Sequence, residues 1–491
     1  MTLVAVNAGA QTPCKNAQDF FATDCPLTWN GITLYGAYDV GVGWVSHGMP
    51  ENAYNYEGEA LVNRNGNHPQ WLIAPNNLQQ TGFGIRGREE VLRGWFAVFN
   101  ASTGINPQSG VFANAPATMA ANAGLPRGSY SATIDGSREG QTFNDEFYGG
   151  ISSTRFGTVT FGRQRALGTD AMLQYDPAGG GYAFSYIGYN GTMAGAGDTQ
   201  DARWDNAFKY RFTYEHVHAA AMYRFADGSG GCYAASATWT AADCTPEQPH
   251  NDAYGFNLGG SFGTFFVDAV WQRYNDAISV LNPLLGPQSK TQPYQSTTNS
   301  INTNPVTGGT NVIATTNTVY GIVTDNTAMM IAAKYALDLF KIYGGYEYVW
   351  QTNPKHPLGV GASAGGGYLL SGVEDDNLDS PKILNIWWTG AKFTYDSKTD
   401  FTVAYYNQLQ NDFRRPSTCS PAKGFRSSCA GTLNEVAGYA DHRLTKRVDA
   451  YAGIEYSQVS GGLAIAIPHG PGTPYYHKDN LAPVLGARFA F

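Results

Sequence analysis

GITLYGAYDVGVGWV, residues 31–45, sets Ile32, Leu34, Tyr38, Val40, Val42 and Trp44 on even positions and Thr33, Tyr35 and Asp39 on odd ones. Period two of this kind makes one apolar and one mixed polar face, the pattern of a β-strand. Trp204 to Tyr214 repeats it, with Trp204, Phe208, Tyr210, Phe212 and Tyr214 opposite Asp205, Lys209, Arg211 and Thr213. Thr327 to Asp338 sets Met329, Ile331, Ala333, Tyr335 and Leu337 on one face, opposite Lys334 and Asp338, and Phe340 to Trp350 continues with Ile342, Tyr346, Tyr348 and Trp350. The full series is 31–45, 79–89, 92–101, 143–153, 156–165, 204–214, 216–226, 251–262, 264–275, 327–337, 339–351, 382–395, 399–409, 433–443, 447–457 and 481–491, sixteen segments in all.

Their connections alternate between tight turns, such as Ser397-Lys398, and long polar loops such as 276–326. Short turns at one end and long loops at the other are the layout of a transmembrane β-barrel, and about 10 residues suffice for a tilted strand to cross the hydrocarbon layer. The expected fold is therefore all-β, a sixteen-stranded antiparallel barrel. Alternation alone does not separate lipid outside and wet lumen inside from the reverse arrangement of a soluble sheet. Trp44, Trp204, Trp271 and Trp350 bound the apolar rows as interfacial girdles do. The last segment sets Leu485, Ala487, Phe489 and Phe491 against Arg488 and closes on an aromatic residue.

Composition agrees. Of 491 residues 59 are Gly, and 31 Tyr, 25 Phe and 10 Trp are far too many aromatics for a disordered chain. Charged residues make up 14%, below the roughly 25% of a soluble domain. The longest unbroken apolar run is Ala328 to Ala333, too short for a membrane helix of about 20 residues. A net charge of −8 argues against nucleic acid as a partner, because phosphate neutralisation needs a basic surface.

The six cysteines form local pairs, Cys14 with Cys25, Cys232 with Cys244 and Cys419 with Cys429, in polar segments without metal-ligand spacing. They read as loop staples formed in an oxidising compartment. Residues 1–29 stand apart as an N-terminal segment ahead of a barrel domain at 30–491. Within it, MTLVAVNAGAQ has the small residues of a secretory cleavage site but no basic start.

With these residues in place the chain resembles the Gram-negative porin family, especially general diffusion porins of alphaproteobacterial type. The resemblance is carried by TLYG at 33–36, GFGIRGRE at 82–89, FGTVTFGRQ at 156–164, DNAFKYR at 205–211, LTKRVDAYAG at 444–453 and the closing Phe491. It implies a homotrimer in the outer membrane of a Gram-negative bacterium, seated in lipid and lipopolysaccharide, that passes small hydrophilic solutes and ions passively without a cofactor or resident metal. It also implies that the third long loop, about 166–203, folds into the lumen. That loop carries Asp170, Asp176, Asp198 and Asp201, and the wall candidates facing it are Arg86, Arg88, Arg163, Arg165, Lys209 and Arg211. Acid on the loop and base on the wall would set a transverse field across the constriction.

Other motifs lack their context. Gly82 to Gly87 fits GxGxxG but lies inside an alternating strand, without the βαβ unit that puts a pyrophosphate on a helix N-terminus. Gly259 to Gly263 fits GxSxG, yet a strand follows where a nucleophile elbow needs a helix. His216 and His218 read as lumenal polar residues, two imidazoles without a third ligand. A secreted or surface carbohydrate-binding β protein is the alternative reading, and it leaves the sixteen regular segments and the terminal Phe unexplained. An enzyme finds no nucleophile, base and orienting group in a recognisable arrangement.

Overall fold

The computed structural model describes residues 12–48, 69–113, 141–190, 202–226, 250–281, 301–303, 310–312, 319–355, 361–365, 368–374, 378–414, 428–464 and 477–491. Sixteen strands form the wall: β1 Ile32–Val45, β2 Gly82–Leu92, β3 Trp95–Gly104, β4 Glu146–Ser153, β5 Gly157–Arg165, β6 Arg203–Tyr214, β7 Val217–Arg224 and β8 Ala253–Phe262 in the first half. The second half is β9 Phe265–Leu281, β10 Val319–Ala336, β11 Phe340–Thr352, β12 Lys382–Thr394, β13 Thr399–Gln410, β14 Gly431–Arg443, β15 Val448–Gly461 and β16 Asp479–Ala490.

Each strand pairs antiparallel with its sequence neighbours, and β16 closes on β1 from Ala37↔Ala490 to Gly43↔Val484. The Phe491 amide donates to the Gly36 carbonyl at 2.9 Å and the Gly36 amide donates back at 2.8 Å. Closure leaves no open edge, which a hydrocarbon environment requires because nothing there can satisfy an unpaired backbone group. On the long-loop side, Gln70–Pro75 pairs with the upper half of β1 and brings Trp71 opposite Trp44.

The alternation resolves into an outer apolar belt and an inner face that mixes polar residues with an apolar patch, including Val270, Met330, Ile386, Trp388 and Leu433, clustered with the inward loop 166–190. Phe147, Phe161, Leu258, Val403 and Leu485 are all more than half exposed on the outside. Soluble monomers rarely expose contiguous apolar patches above a few hundred Å², so the belt requires lipid. The residues between them, among them Asn100, Glu146, Lys209, Asp268, Gln408 and Glu435, face inward and are buried.

Two departures from simple alternation matter. At the end of β5 the register slips between Gly162 and Gln164 against Ala207 and Trp204, with Asn206 at φ 50° and Gly162 at φ 125°. The slip turns Trp204 out of the apolar row of β6 and buries it completely inside the barrel, 6.0 Å from the ring of Tyr274. Trp204 is therefore not a girdle residue. The second departure shortens the loop expected at 276–326. After an irregularity between Tyr274 and Ala277, β9 and β10 keep pairing out to Leu281 and Tyr320, because Ile278, Val323 and Ile322 continue the strand-forming pattern.

The N-terminal segment sits at the short-turn end. Helix α1, Ala17–Ala22, is capped by Asn16, whose Oδ1 accepts from the Asp19 amide at 2.9 Å. A disulfide joins Cys14 to Cys25. Arg447, in the turn between β14 and β15, donates to the Phe20 and Cys25 carbonyls and lies over the Phe20 ring at 4.4 Å. Leu27–Trp29 then pairs with the start of β1. Cys429 is also disulfide-bonded, while Cys232, Cys244 and Cys419 lie outside the described residues.

Candidate functional site: a lumen crossed by the third loop

The chain leaves β5 at Arg165 and turns inward at once. Helix α2, Leu167–Tyr175, and the short helix α3, Tyr186–Asn190, lie inside the barrel, with Leu167, Tyr175, Tyr186 and Ile187 almost wholly buried against the wall. Hydrogen bonds tie this loop to several strands. The Gly168 amide donates to Gln272 on β9 at 3.1 Å, and the Tyr175 hydroxyl donates to Asp268 on the same strand. Trp388 on β12 donates its indole N–H to the Tyr175 carbonyl at 3.1 Å. Tyr186 donates to Gln408 on β13, Tyr189 to Glu435 on β14 at 2.6 Å, and Phe184 stacks on Tyr439 at 4.6 Å.

The two described acids of the loop behave differently. Asp170, in the first turn of α2, accepts from Lys209 Nζ at 2.9 Å and from Arg211 at 3.0 Å through the same oxygen, Oδ2. Burial works against its carboxylate, but Lys209 and Arg211, with Arg165 behind them, outweigh that and hold its pKa down at about 2. Asp176, just past the end of α2, accepts from the Tyr406 hydroxyl at 2.6 Å and from the Gly180 and Ala178 amides, and it is 3% exposed. It anchors the loop to β13 rather than presenting charge to a solute. Asp198 and Asp201 lie outside the described residues.

The wall candidates divide as well. Lys209 and Arg211 meet Asp170 directly, so acid and base touch on one side of the lumen rather than facing each other across it. Arg165 pairs with Asp145 at 2.9 Å, and Arg203, absent from the sequence-based set, pairs with the same carboxylate at 2.8 Å. Arg163 stands at the slipped position in β5 and is held by Asp205 at 2.7 Å and by the Asn144 carbonyl, away from α2. Arg86 and Arg88 are exposed on the inner face of β2, over the rings of Tyr35 at 5.1 Å and Phe96 at 3.8 Å, and bond none of the described residues of the loop. His218 bonds Asp268 at 2.7 Å from the inner face of β7, whereas His216 sits in the turn before that strand.

The residues that dock the loop, Tyr175, Tyr186 and Tyr189 with Asp268, Gln408 and Glu435, were not singled out from sequence. The signal present was the clustering of tyrosines in an otherwise polar and Gly-rich loop.

A closed barrel with a lipid-seeking belt, an interior that carries many buried polar and charged groups and a loop folded across that interior defines a transmembrane β-barrel of channel architecture. A family model described as Gram-negative porin matches residues 1–462, and the chain belongs to that family, whose place is the outer membrane. An outer membrane porin protein of Bordetella pertussis is 23% identical over 180 residues, 37% of this chain and 38% of that protein. The matched part thus spans well under half of that curated relative. Among solved structures, the anion-selective porin from Comamonas acidovorans superposes with TM-score 0.55 at 14% identity, covering 94% of this chain and 99% of that one. OmpT of Vibrio cholerae gives 0.52 at 12% identity, covering 95% and 100%. At these identities the likeness is one of fold. Family membership and the exposed apolar belt leave no support for a secreted carbohydrate-binding protein.

Proposed function

We propose that this protein is a water-filled outer-membrane channel for passive diffusion of small hydrophilic solutes and ions, rather than an enzyme, and that it works as a homotrimer. The observation that carries the reading is the third loop. It is bonded to the wall through Asp170, Tyr175, Asp176, Tyr186 and Tyr189, and so holds a fixed narrowing inside a barrel whose inner face also carries buried polar groups such as Asn100, Glu146 and Gln408. A rigid constriction filters by size and charge without a conformational cycle.

The ion cluster at the root of the loop, Asp145, Glu146 and Asp170 with Arg165, Arg203, Lys209 and Arg211, concentrates charge of both signs at the constriction. Support for the trimer comes from the family resemblance. Purified protein added to a planar bilayer should give stepwise, ohmic conductance increments, and an unheated detergent gel should show a species three times the monomer mass. Absence of any conductance would overturn the channel reading.

A further inference from the structure

Below the third loop, toward the short-turn end, the inner face of β10–β12 carries three lysines. Their inward direction follows from their neighbours: Tyr335, Ile342 and Phe340 are exposed on the outside, and Lys334, Lys341 and Lys392 occupy the alternate positions. Lys341 and Lys392 are directly opposite each other in the β11–β12 register, and Lys334 lies one inward row above, opposite Tyr343. Like charges directly opposite in a sheet are destabilising. Here they repel one another as a group of three.

None of the three forms an ion pair among the described residues, although Asp268 attracts Lys334, and Asp400 and Asp441 attract Lys392, without direct contact. The acids at the same level have other partners. Asp400 on β13 is engaged by Thr394 and Arg443, Asp441 and Asp449 on β14 and β15 by Arg488, and Asp268 on β9 by His218, Tyr175 and Asn257. The Lys334 ammonium instead lies over the rings of Phe266 at 5.1 Å and Tyr175 at 5.7 Å, an arrangement that holds a cation in place without neutralising it. Across the barrel, eight strands from β10, the exposed Arg86 and Arg88 of β2 likewise form no ion pair among the described residues.

We propose that Lys334, Lys341 and Lys392 form a lumenal site for small doubly charged oxyanions of the phosphate type, and that this site makes the channel prefer anions. The inference rests on the channel reading above and deepens it. A phosphate dianion offers several strong acceptor oxygens to ammonium donors on adjacent strands, and its charge offsets the repulsion of the cross-strand pair. A weak site of this kind concentrates the permeant ion without trapping it.

The test is single-channel recording of the full-length protein at about 0.1 M salt, where the Debye length is near 10 Å and the lysines are not screened out. Wild type should give a reversal potential of anion sign in a KCl gradient, and millimolar inorganic phosphate should reduce the chloride current in a saturating manner. K341Q/K392Q should lose the phosphate block and lower the anion-to-cation permeability ratio by about tenfold, two unit charges each worth about threefold at several Å in water. K341R/K392R, which keeps the charge, should retain both, and an unchanged heat-modifiable band on a detergent gel shows that each variant barrel is intact. Channels that open without phosphate block, or a block that survives in K341Q/K392Q, overturn the lysine site and leave the channel standing. No channels from wild type overturn the channel and the site together.

Discussion

Asp170 Oδ2 takes hydrogen bonds from two cations of one strand, Lys209 Nζ at 2.9 Å and the Arg211 guanidinium at 3.0 Å. Lys209 is fully buried and Arg211 about a third exposed, so the loop carboxylate is the direct charge partner of a buried ammonium. Removing one partner of a fully buried ion pair costs roughly 3–5 kcal/mol. Asp170 is 29% exposed, which places the loss below that range. Asp170→Asn is expected to free positive charge at the constriction, shift the reversal potential in a salt gradient toward anions, and increase open-channel noise as the start of α2 loosens. An unchanged potential would remove Asp170 from the ion path.

Asp176→Asn should behave differently, because that carboxylate is enclosed by Tyr406 and two amides. Little change in selectivity is expected. Tyr406→Phe, which deletes one hydrogen bond to a charged group, should cost about 1.5–3 kcal/mol of loop docking. Faster cleavage within the third loop under limited proteolysis is the readout, with conductance noise as a second one.

Gly162 has φ 125°, and a Cβ there would come within 2.2 Å of the Phe147 carbonyl oxygen. Gly162→Ala should force β4 and β5 apart at the slip that places Arg163 and Trp204. Backbone strain of this kind costs on the order of 1–3 kcal/mol. A lower urea midpoint for the folded, heat-modifiable form in lipid is the expected result, and an unchanged midpoint would show that the slip is not a constraint.

The outward position of Leu258, 62% exposed, can be tested against lipid directly. Leu258→Arg should destabilise folding into bilayers by about 2–4 kcal/mol if the residue lies near the midplane, and less toward the interfaces. Its neighbour Asn257 faces the lumen and donates to Asp268, so Asn257→Ala should leave membrane folding nearly unchanged while weakening the anchorage of Tyr175. Equal effects from the two substitutions would contradict the assignment of faces.

Reduction of the Cys14–Cys25 disulfide should release the N-terminal segment without opening the barrel, because the wall closes through β1 and β16 independently of it. A loop of about 15 residues closed by a disulfide is worth roughly 3 kcal/mol of chain entropy. Protease should then cut within residues 12–26 much faster in reduced protein, with the heat-modifiable band unaffected. Loss of that band would mean that the segment is needed for closure.

The period-two pattern by itself determined the sixteen strands and the two faces of each, while the closed barrel decided that the apolar face is the outer one. A strand's two faces are set locally, by the pleat, and need no knowledge of its partners. For the same reason the placement of Lys209, Arg211, Lys341 and Lys392 on the polar face was readable from parity. Tertiary structure decided wherever the pleat is broken or partners come from far along the chain. The slip at Gly162 and Asn206 turned Trp204 inward and drew Arg163 to Asp205, against the parity each would otherwise have kept. Asp170 and Asp176 are alike in sequence, yet one became part of a charge cluster and the other a buried anchor, because Lys209 and Tyr406 meet the loop from different walls of the closed barrel. The cross-strand register alone set Lys341 against Lys392 and spent the nearby acids on Arg443 and Arg488. Charge balance in a lumen depends on which side chains come within a few Å of each other, and no stretch of sequence contains that distance.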